Sequence, residues 1–385
     1  MPDVRATLRR YKPILDLRLE ALFETWIDEA EADLKPAYSY LRAYVLNGGK
    51  RLRPILTVMA YKAVRGGDDD GILGPAAGIE LFHSSSLIHD DIMDEDSLRR
   101  GMPTVHKHFE RRLLKSHEER ISEGRIFRKR SERFGISMAI LQGDILYALM
   151  ERCFTQSVFG AGPVRKALAV VHHAYRLMSE GQILDLLSEL KRDGTEHDYL
   201  RLIENKTARL FTAAVEVGAI FGGAAEKQIQ ALTRFALRFG MAFQLQDDLL
   251  DIRPGLKGRA CGSDIRRGKF TLLMIKALET ASSTQRRRLL SVLGNDQAGS
   301  RAMRAAIKVL HDTGAVDDVK ALALRTLGEA RASLANAGLS DEARAFFEGL
   351  SHSLAEKTIS DAASDAPPAT GTRRERPAKQ LPPPA

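Results

Sequence analysis

Three observations predict an all-α protein of ten or more helices. Apolar residues recur at intervals of three and four, as at Leu15, Leu19, Leu22 and Trp26. The same spacing returns at Leu200, Ile203, Leu210, Ala214 and Val217, with Thr207 filling the one polar place on that face. Sustained alternation of Val, Ile, Thr and aromatic residues, the signature of a strand, is nearly absent, while Ala, Leu, Glu and Arg dominate. Gly- and Pro-bearing breakers at 47–54, 65–75, 159–163, 192–198, 221–224, 253–264 and 293–300 separate the periodic segments.

The bulk figures narrow the function classes. A chain of 385 residues with 44% hydrophobic content can bury a sizeable core. No uninterrupted apolar run approaches a membrane span, and residues 1–13 carry no apolar signal region. Two cysteines, Cys153 and Cys261, form neither a disulfide framework nor a metal cluster, so a reduced, cytoplasmic setting is expected. The net charge of +8 suits phosphate-bearing ligands, anionic membranes or nucleic acid without choosing among them. A nucleic-acid role lacks any motif or aromatic platform, and membrane contact is expected to be peripheral at most.

Residues 1–355 read as a single helical domain. From about 360 to 385 the chain is Pro- and Ala-rich with almost no large apolar residue, and disorder is expected there. Residues 107–134 hold ten Lys or Arg against five Asp or Glu. They read either as an exposed, salt-bridged helical arm or as a basic flap over an anionic substrate or membrane surface.

The chemistry concentrates in two acidic motifs. The stretch HDDIMDEDSLRRG, 89–101, puts five carboxylates between positions 90 and 96, then adds Arg99 and Arg100. On a helix Asp90 and Asp94 share a face, with Asp91 beside them. The segment before them is the apolar body of a buried helix, where such a cluster is costly unless a cation neutralises it. The device repeats in GMAFQLQDDLLDIRPG, 240–255, as Asp247, Asp248 and Asp251. Two facing sets of carboxylate oxygens, without His or Cys, favour hard cations, Mg²⁺ above all. An ion of that kind bridges carboxylates to phosphate oxygens, and Arg99 and Arg100 can hold the far side of a diphosphate.

Smaller pieces surround the motifs. GGKRLRP, 48–54, sets three cations around a Gly-Gly backbone. NKTARLF, 205–211, places Lys206 and Thr207 on a helix, and GSDIRRGKFTLL, 262–273, brings Asp264 and Lys269 after the second motif. His83 lies about two turns before Asp90. Each piece alone is also what an ordinary helix surface or loop presents.

Taken in order, GGKRLRP, LFHSSSLIHDDIMDEDSLRRGMPTVH, GDIL, GQILD, NKT, FQLQDDLLD and GSDIRRGKFT resemble the trans-polyprenyl diphosphate synthases, over about residues 40–280. The resemblance implies an isoprenoid-synthase-type helical bundle around a deep central cavity, usually a homodimer. It implies that isopentenyl diphosphate condenses with an allylic diphosphate, to geranylgeranyl or longer products. By the resemblance, Asp90, Asp91, Asp94, Asp247, Asp248 and Asp251 serve Mg²⁺, with Asp90, Asp94 and Asp247 the direct ligands. Lys50, Arg53, His83 and Arg100 bind isopentenyl diphosphate; Arg99, Lys206 and Lys269 bind the allylic diphosphate; Thr207 and Gln244 stabilise the allylic cation.

This chain departs from the family pattern in three places. The basic segment lengthens the link after PTVH, Arg259 stands where Lys is usual, and Leu273 stands where Pro is common. Arg259 keeps the positive charge for diphosphate binding.

Product length is expected to follow from the helix before the first motif, where each turn rises about 5.4 Å, close to one isoprene unit. Ser85 and Ser86 are too small to stop the chain at farnesyl length, and Phe82 one turn deeper is the expected floor for a geranylgeranyl product. Two other readings remain at this stage. A class I terpene cyclase also uses an Asp-rich Mg²⁺ motif, but it needs neither a second such motif nor GGKRLRP. A non-catalytic regulatory subunit has no need to keep all six aspartates.

Overall fold

The structure, a computed structural model, describes residues 4–67, 70–121, 123, 126–253 and 261–363. Helices α1 (Val4–Glu29), α2 (Lys35–Leu46), α3 (Leu52–Arg65) and α4 (Leu73–Met93) open the chain. A minimal antiparallel hairpin follows, β1 (Leu98–Arg99) with β2 (Met102–Pro103). Then come α5 (Val105–Ser116), α6 (Arg130–Thr155), α7 (Ala161–Lys191) and α8 (Glu196–Ile203). A π-helical turn, Glu204–Ala208, leads into α9 (Arg209–Gly222) and α10 (Glu226–Asp251). The rest is α11 (Ser263–Arg267), α12 (Leu272–Thr280), α13 (Ser283–Val292), α14 (Ser300–Asp312), α15 (Ala315–Ser333) and α16 (Asp341–Ala363). The all-α expectation holds, and the hairpin is the one sheet among the described residues.

The apolar periodicity becomes two hydrophobic clusters. The larger joins α1, α3, α4, α6, α9 and α16 through residues such as Phe23, Phe82, Phe154, Phe211 and Phe347. The smaller packs α8 and α12–α15 through Leu273, Val309, Leu310 and Val319. Helix α10 serves both, giving Phe235 and Phe239 to the first and Met241, Leu245 and Leu249 to the second. It therefore runs between the two clusters and ends at the second acidic motif.

Antiparallel packing of α6 on α4 fixes the first motif. Gly78 lies against Cys153 and Phe154, Phe82 against Tyr147, and His89 against Gly143, so the two helices run in opposite directions. By length and composition α6 is the one described helix that qualifies as a membrane span, although Gln142 and Asp144 interrupt its apolar run. It is a bundle helix here, with Ala139, Leu146, Met150 and Phe154 buried.

The basic segment forms an arm. Its α5 buries Val105, His106 and Phe109 and exposes Arg111, Arg112 and Lys115. Ion pairs Lys107–Glu110 at 2.8 Å and Lys129–Glu132 at 3.2 Å agree with the salt-bridged arm. At the C-terminus, helix continues through Ala363, past the expected start of the tail, because Asp, Ala and Ser prolong α16 before the first Pro. Residues 364–385, the bulk of the expected disordered tail, lie outside the described residues.

One buried ion pair anchors the N-terminal helices. Arg51 has a fully buried side chain and donates to Glu80 Oε1 at 2.6 Å and Asp16 Oδ1 at 2.7 Å, tying α1, the start of α3 and α4 together. It is a structural cation, unlike its neighbours Lys50 and Arg53. Removing one partner strands a buried charge. We expect Arg51→Met to lower unfolding free energy by about 3–5 kcal/mol, and Arg51→Met with Glu80→Met to recover most of it, measured by urea unfolding.

Candidate active site

The last turn of α4 presents the first acidic motif. Asp91 is fully buried and accepts from Tyr44 Oη at 2.8 Å and Arg99 Nε at 2.5 Å. Burial pushes its pKa up to about 6, against the pull of Arg99. Asp90 stands 3.5 Å from Lys206 Nζ and 3.9 Å from Arg99. Burial raises its pKa, Lys206 opposes, and Asp94 adds repulsion. Asp94 caps α4 and meets Lys269 at 3.1 Å and Arg267 at 3.6 Å. Asp96 pairs with Arg267 and lies 3.4 Å from Arg99.

The hairpin aims the two arginines apart. Its turn residues Arg100 and Gly101 both have positive φ, 51° and 80°, the conformation a two-residue hairpin favours. Arg99 consequently falls on Asp91. Arg100 falls on the glycine loop, donating to Asn47 O at 3.1 Å. Gly49 (φ 86°) makes room: a Cβ there would lie 2.8 Å from the Arg100 guanidinium. Lys50 is exposed beside it. Arg53 points into the bundle, 3.2 Å from His83 Nε2 and 4.3 Å above the Phe211 ring. Burial pushes Arg53 down to about 10, and its Nε has no hydrogen-bond partner. Burial, with Arg53 and Arg100 nearby, drives His83 well below the ordinary imidazole range, so it stays neutral.

The π-turn supplies the next group. One residue more than an α-turn lets Lys206 reach α4 and α7 while Thr207 reaches α10. Close approach to α7 requires Gly181, where a Cβ would sit 2.4 Å from Lys206 N. Lys206 then donates to Asp185 Oδ2 at 2.6 Å, and Lys269 donates to the same oxygen at 2.8 Å. Burial alone would raise Asp185, but the two ammonium groups outweigh it and hold its carboxyl below the usual range. Both lysines titrate above the ordinary lysine range despite burial, because Asp90, Asp94 and Asp185 favour their charge.

The end of α10 divides its carboxylates. Thr207 Oγ1 donates to Gln244 Oε1 at 2.8 Å, and Gln244 Nε2 donates to Asp248 Oδ1 at 3.0 Å. Tyr199 Oη donates to the other Asp248 oxygen. Burial still pushes Asp248 well above the carboxylate range. Asp251 is buried and caps α11, accepting from Ser263 N and Asp264 N, each at 3.1 Å. Asp247 is half-buried. Equal spacing thus conceals unequal surroundings. Arg259 lies outside the described residues.

The structure links Asp90, Lys206, Asp185, Lys269 and Asp94 in one network and Thr207, Gln244, Asp248 and Tyr199 in another, joined where Lys206 and Thr207 are consecutive residues. It adds residues that sequence reasoning passed over: Asp185, Tyr44, Tyr199 and Arg267. Asp185 had a signal, a lone carboxylate inside the apolar run GQILDLL, three residues after Gln182. Among the described residues no three acidic, His or Cys side chains form a ready metal cage.

Known proteins resemble the chain over most of its length. The profile of the family described as Polyprenyl synthetase matches residues 35–310. The short chain isoprenyl diphosphate synthase of Methanothermobacter thermautotrophicus is 38% identical over 332 residues, 84% of this chain and 90% of that one. The geranylgeranyl diphosphate synthase of Methanosarcina mazei is 34% identical over 312 residues, 80% and 86% of the two chains. A geranylgeranyl pyrophosphate synthase structure from Corynebacterium glutamicum, complexed with isoprenyl diphosphate and magnesium, superposes with a TM-score of 0.78. It shares 29% identity over 90% of this chain and 98% of that one.

Asp91 offers a pH test. Its raised pKa means that the folded state holds the proton more tightly than the unfolded chain. That contribution is complete below pH 3.8 and disappears as pH rises to about 6. In chelator, the wild type should therefore lose stability relative to Asp91→Asn across that interval, read as diverging urea midpoints.

Proposed function

The chain belongs to the polyprenyl synthetase family, and from that premise we propose that it makes geranylgeranyl diphosphate by adding isopentenyl diphosphate to allylic diphosphates, head to tail and in trans. Prenyl transfer itself is the activity its relatives share. The observation that carries the reading is convergence: Asp90 and Asp94 of α4 reach Lys206 and Lys269, which share Asp185, while Thr207, the residue after Lys206, reaches Gln244 and through it Asp248 of α10.

The side chains divide the work. Lys206, Lys269 and Arg99 carry the charge that receives the allylic diphosphate. Lys50, Arg53, His83 and Arg100 form the second anion site, and the buried, unpartnered Arg53 Nε adds a donor to it. Ionisation breaks the allylic C–O bond, the isopentenyl double bond attacks C1 of the allylic group, and the departing diphosphate takes the proton. Thr207 is oriented for the cation. Its hydroxyl hydrogen is committed to Gln244, Gln244 is fixed by Asp248, and Asp248 in turn accepts from Tyr199, so the hydroxyl lone pairs remain for a neighbouring positive carbon. A flanking apolar wall including Phe211 and Phe243 keeps water from that carbon.

Magnesium fits these residues. The donors are carboxylate oxygens, which suit a hard cation. Burial raises the pKa values of Asp90 and Asp248, and the neighbouring carboxylates Asp94, Asp247 and Asp264 add repulsion that a bound cation would relieve. Asp90, Asp94 and Asp247 would hold the ions, and phosphate oxygens and water would complete a coordination that no three carboxylates complete alone. Bound there, Mg²⁺ neutralises the leaving diphosphate.

Chain length follows from the aromatic floor. Phe82 is fully buried, two turns or about 12 Å below Asp90, with its ring edge-on to Tyr147 and Tyr175 at 5.8 and 5.9 Å. Between floor and motif stand Ser85, buried with its Oγ unpartnered, and Ser86, which donates to His83 O. Small residues above and an aromatic trio below suit a four-unit chain.

A second copy is the proposed partner. Helix α7 exposes Ile183, Leu186, Leu187 and Leu190, an unpartnered stripe at helical spacing, and Ile140 and Leu141 of α6 are also exposed. The proposed setting is the cytoplasm, in keeping with the free cysteines Cys153 and Cys261.

Purified protein with Mg²⁺, labelled isopentenyl diphosphate and farnesyl diphosphate should yield a four-unit alcohol after dephosphorylation, and a cyclase would incorporate no label. Phe82→Ala should lengthen the product and Ser85→Phe shorten it by chromatography; unchanged products would remove Phe82 from the floor. Asp90→Asn should lower kcat by about 10²–10³-fold in the same assay, the scale of losing one electrostatic stabiliser.

A further inference from the structure

Prenyl transfer makes no use of the arm between α5 and α6. Its base is fixed: Ile121 and Lys129 form an antiparallel bridge, Arg130 N donates to Arg120 O at 3.0 Å, and Glu119 accepts from Ser131. Its tip is apolar. Ile121 is 71% and Ile126 94% exposed, and Leu114 is exposed at the end of α5. Such large aliphatic side chains gain by leaving water. Around them Arg111, Arg112, Lys115, Arg120 and Arg128 are exposed, and none is in an ion pair among the described residues.

The arm also has a direction. His89, one residue before the first motif, lies 3.3 Å from Ile140 O. Because α6 is antiparallel to α4, Arg130 stands ten residues, about 15 Å, further along on the side where α4 ends in its aspartates. Basic charge and exposed isoleucines therefore project together from the acidic end of the bundle.

We propose that this arm docks the protein peripherally on an anionic lipid bilayer. Ile121 and Ile126 enter the headgroup region, and Lys115, Arg120 and Arg128 face the lipid phosphates. Nucleic acid would satisfy the charge but leave the isoleucines in water. Docking puts the acidic end of α4 near the surface into which an apolar chain partitions. That use rests on the prenyl-transfer reading, whereas the docking does not.

The test is flotation of the full chain with vesicles of phosphatidylcholine alone, or of phosphatidylcholine mixed with phosphatidylglycerol. Binding is expected only to the mixed vesicles, with release as salt rises. Arg120→Glu with Arg128→Glu, and separately Ile121→Ser with Ile126→Ser, should each lower partitioning at least about tenfold, on the scale of these contributions. Isopentenyl incorporation in vesicle-free solution should stay unchanged in both. The proposal is overturned by equal binding to both vesicles, by no binding, or by variants that bind like the wild type. Variants that change the sedimenting mass would instead put the arm between copies of the chain, and retention on single-stranded DNA without vesicle binding would assign the charge to nucleic acid; either result also overturns it. Vesicle binding without any incorporation would overturn the prenyl-transfer reading alone.

Discussion

Unbalanced negative charge at two helix ends is the constraint on which the rest of this structure depends. Asp90, Asp91 and Asp94 end α4, and Asp247, Asp248 and Asp251 end α10, both at C-termini. The helix macrodipole is negative there, so carboxylates are disfavoured before they repel one another or lose water. At α4 the protein counters this with Arg99, Lys206, Arg267 and Lys269, drawn from three separate stretches of chain. Burial works against this compensation and, with repulsion from Asp94, raises the pKa of Asp90. A site left in this state has an affinity for added positive charge built into its fold.

Backbone devices serve that balance. The π-turn and Gly181 let Lys206 come near both Asp185 and Asp90, and the Arg100–Gly101 turn sends two adjacent arginines apart, one to Asp91 and one to the glycine loop. Each departs from the most regular local geometry, and each lies where charged groups from distant segments must meet. Helix α10 links this polar layer to the core, because its Phe239 and Leu245 pack in the two clusters while Gln244, on the intervening face, reaches Thr207.

What the sequence discloses follows from how local each feature is. Helical periodicity and the Asp motifs depend on neighbours within a few positions, so the all-α class and both acidic helix ends were readable. Partners were not. GGKRLRP shows three equivalent cations, yet burial turns Arg51 toward Asp16 and Glu80 and leaves Lys50 exposed. Asp185 looks like an ordinary helix residue until Lys206 and Lys269 arrive from positions 21 and 84 residues later. Likewise Phe82 stands out in the sequence as an aromatic residue on α4, but its ring partners Tyr147 and Tyr175, which come from other helices, do not.

The two acidic motifs, identical in spacing, are not equivalent in structure, and this bears on how the site changes charge. In the second motif Asp251 is committed to the N-terminus of α11 and Asp248 to Tyr199 and Gln244, and both are buried. These two carboxylates hold protein groups in place: one fixes the helix that leads to Lys269, the other fixes the amide that orients Thr207. Asp247 alone among the three is not buried. In the first motif Asp91 is the committed member, anchoring Arg99, while Asp90 and Asp94 meet the ammonium groups of Lys206 and Lys269. A DDxxD sequence therefore combines two duties. Part of it builds the frame that sets cations and hydroxyls in position, and the remainder is the part left to the proposed ligand contacts. Substituting a frame carboxylate disturbs groups several ångströms away, so its loss and the loss of a charge-presenting one have different physical causes even where both abolish turnover.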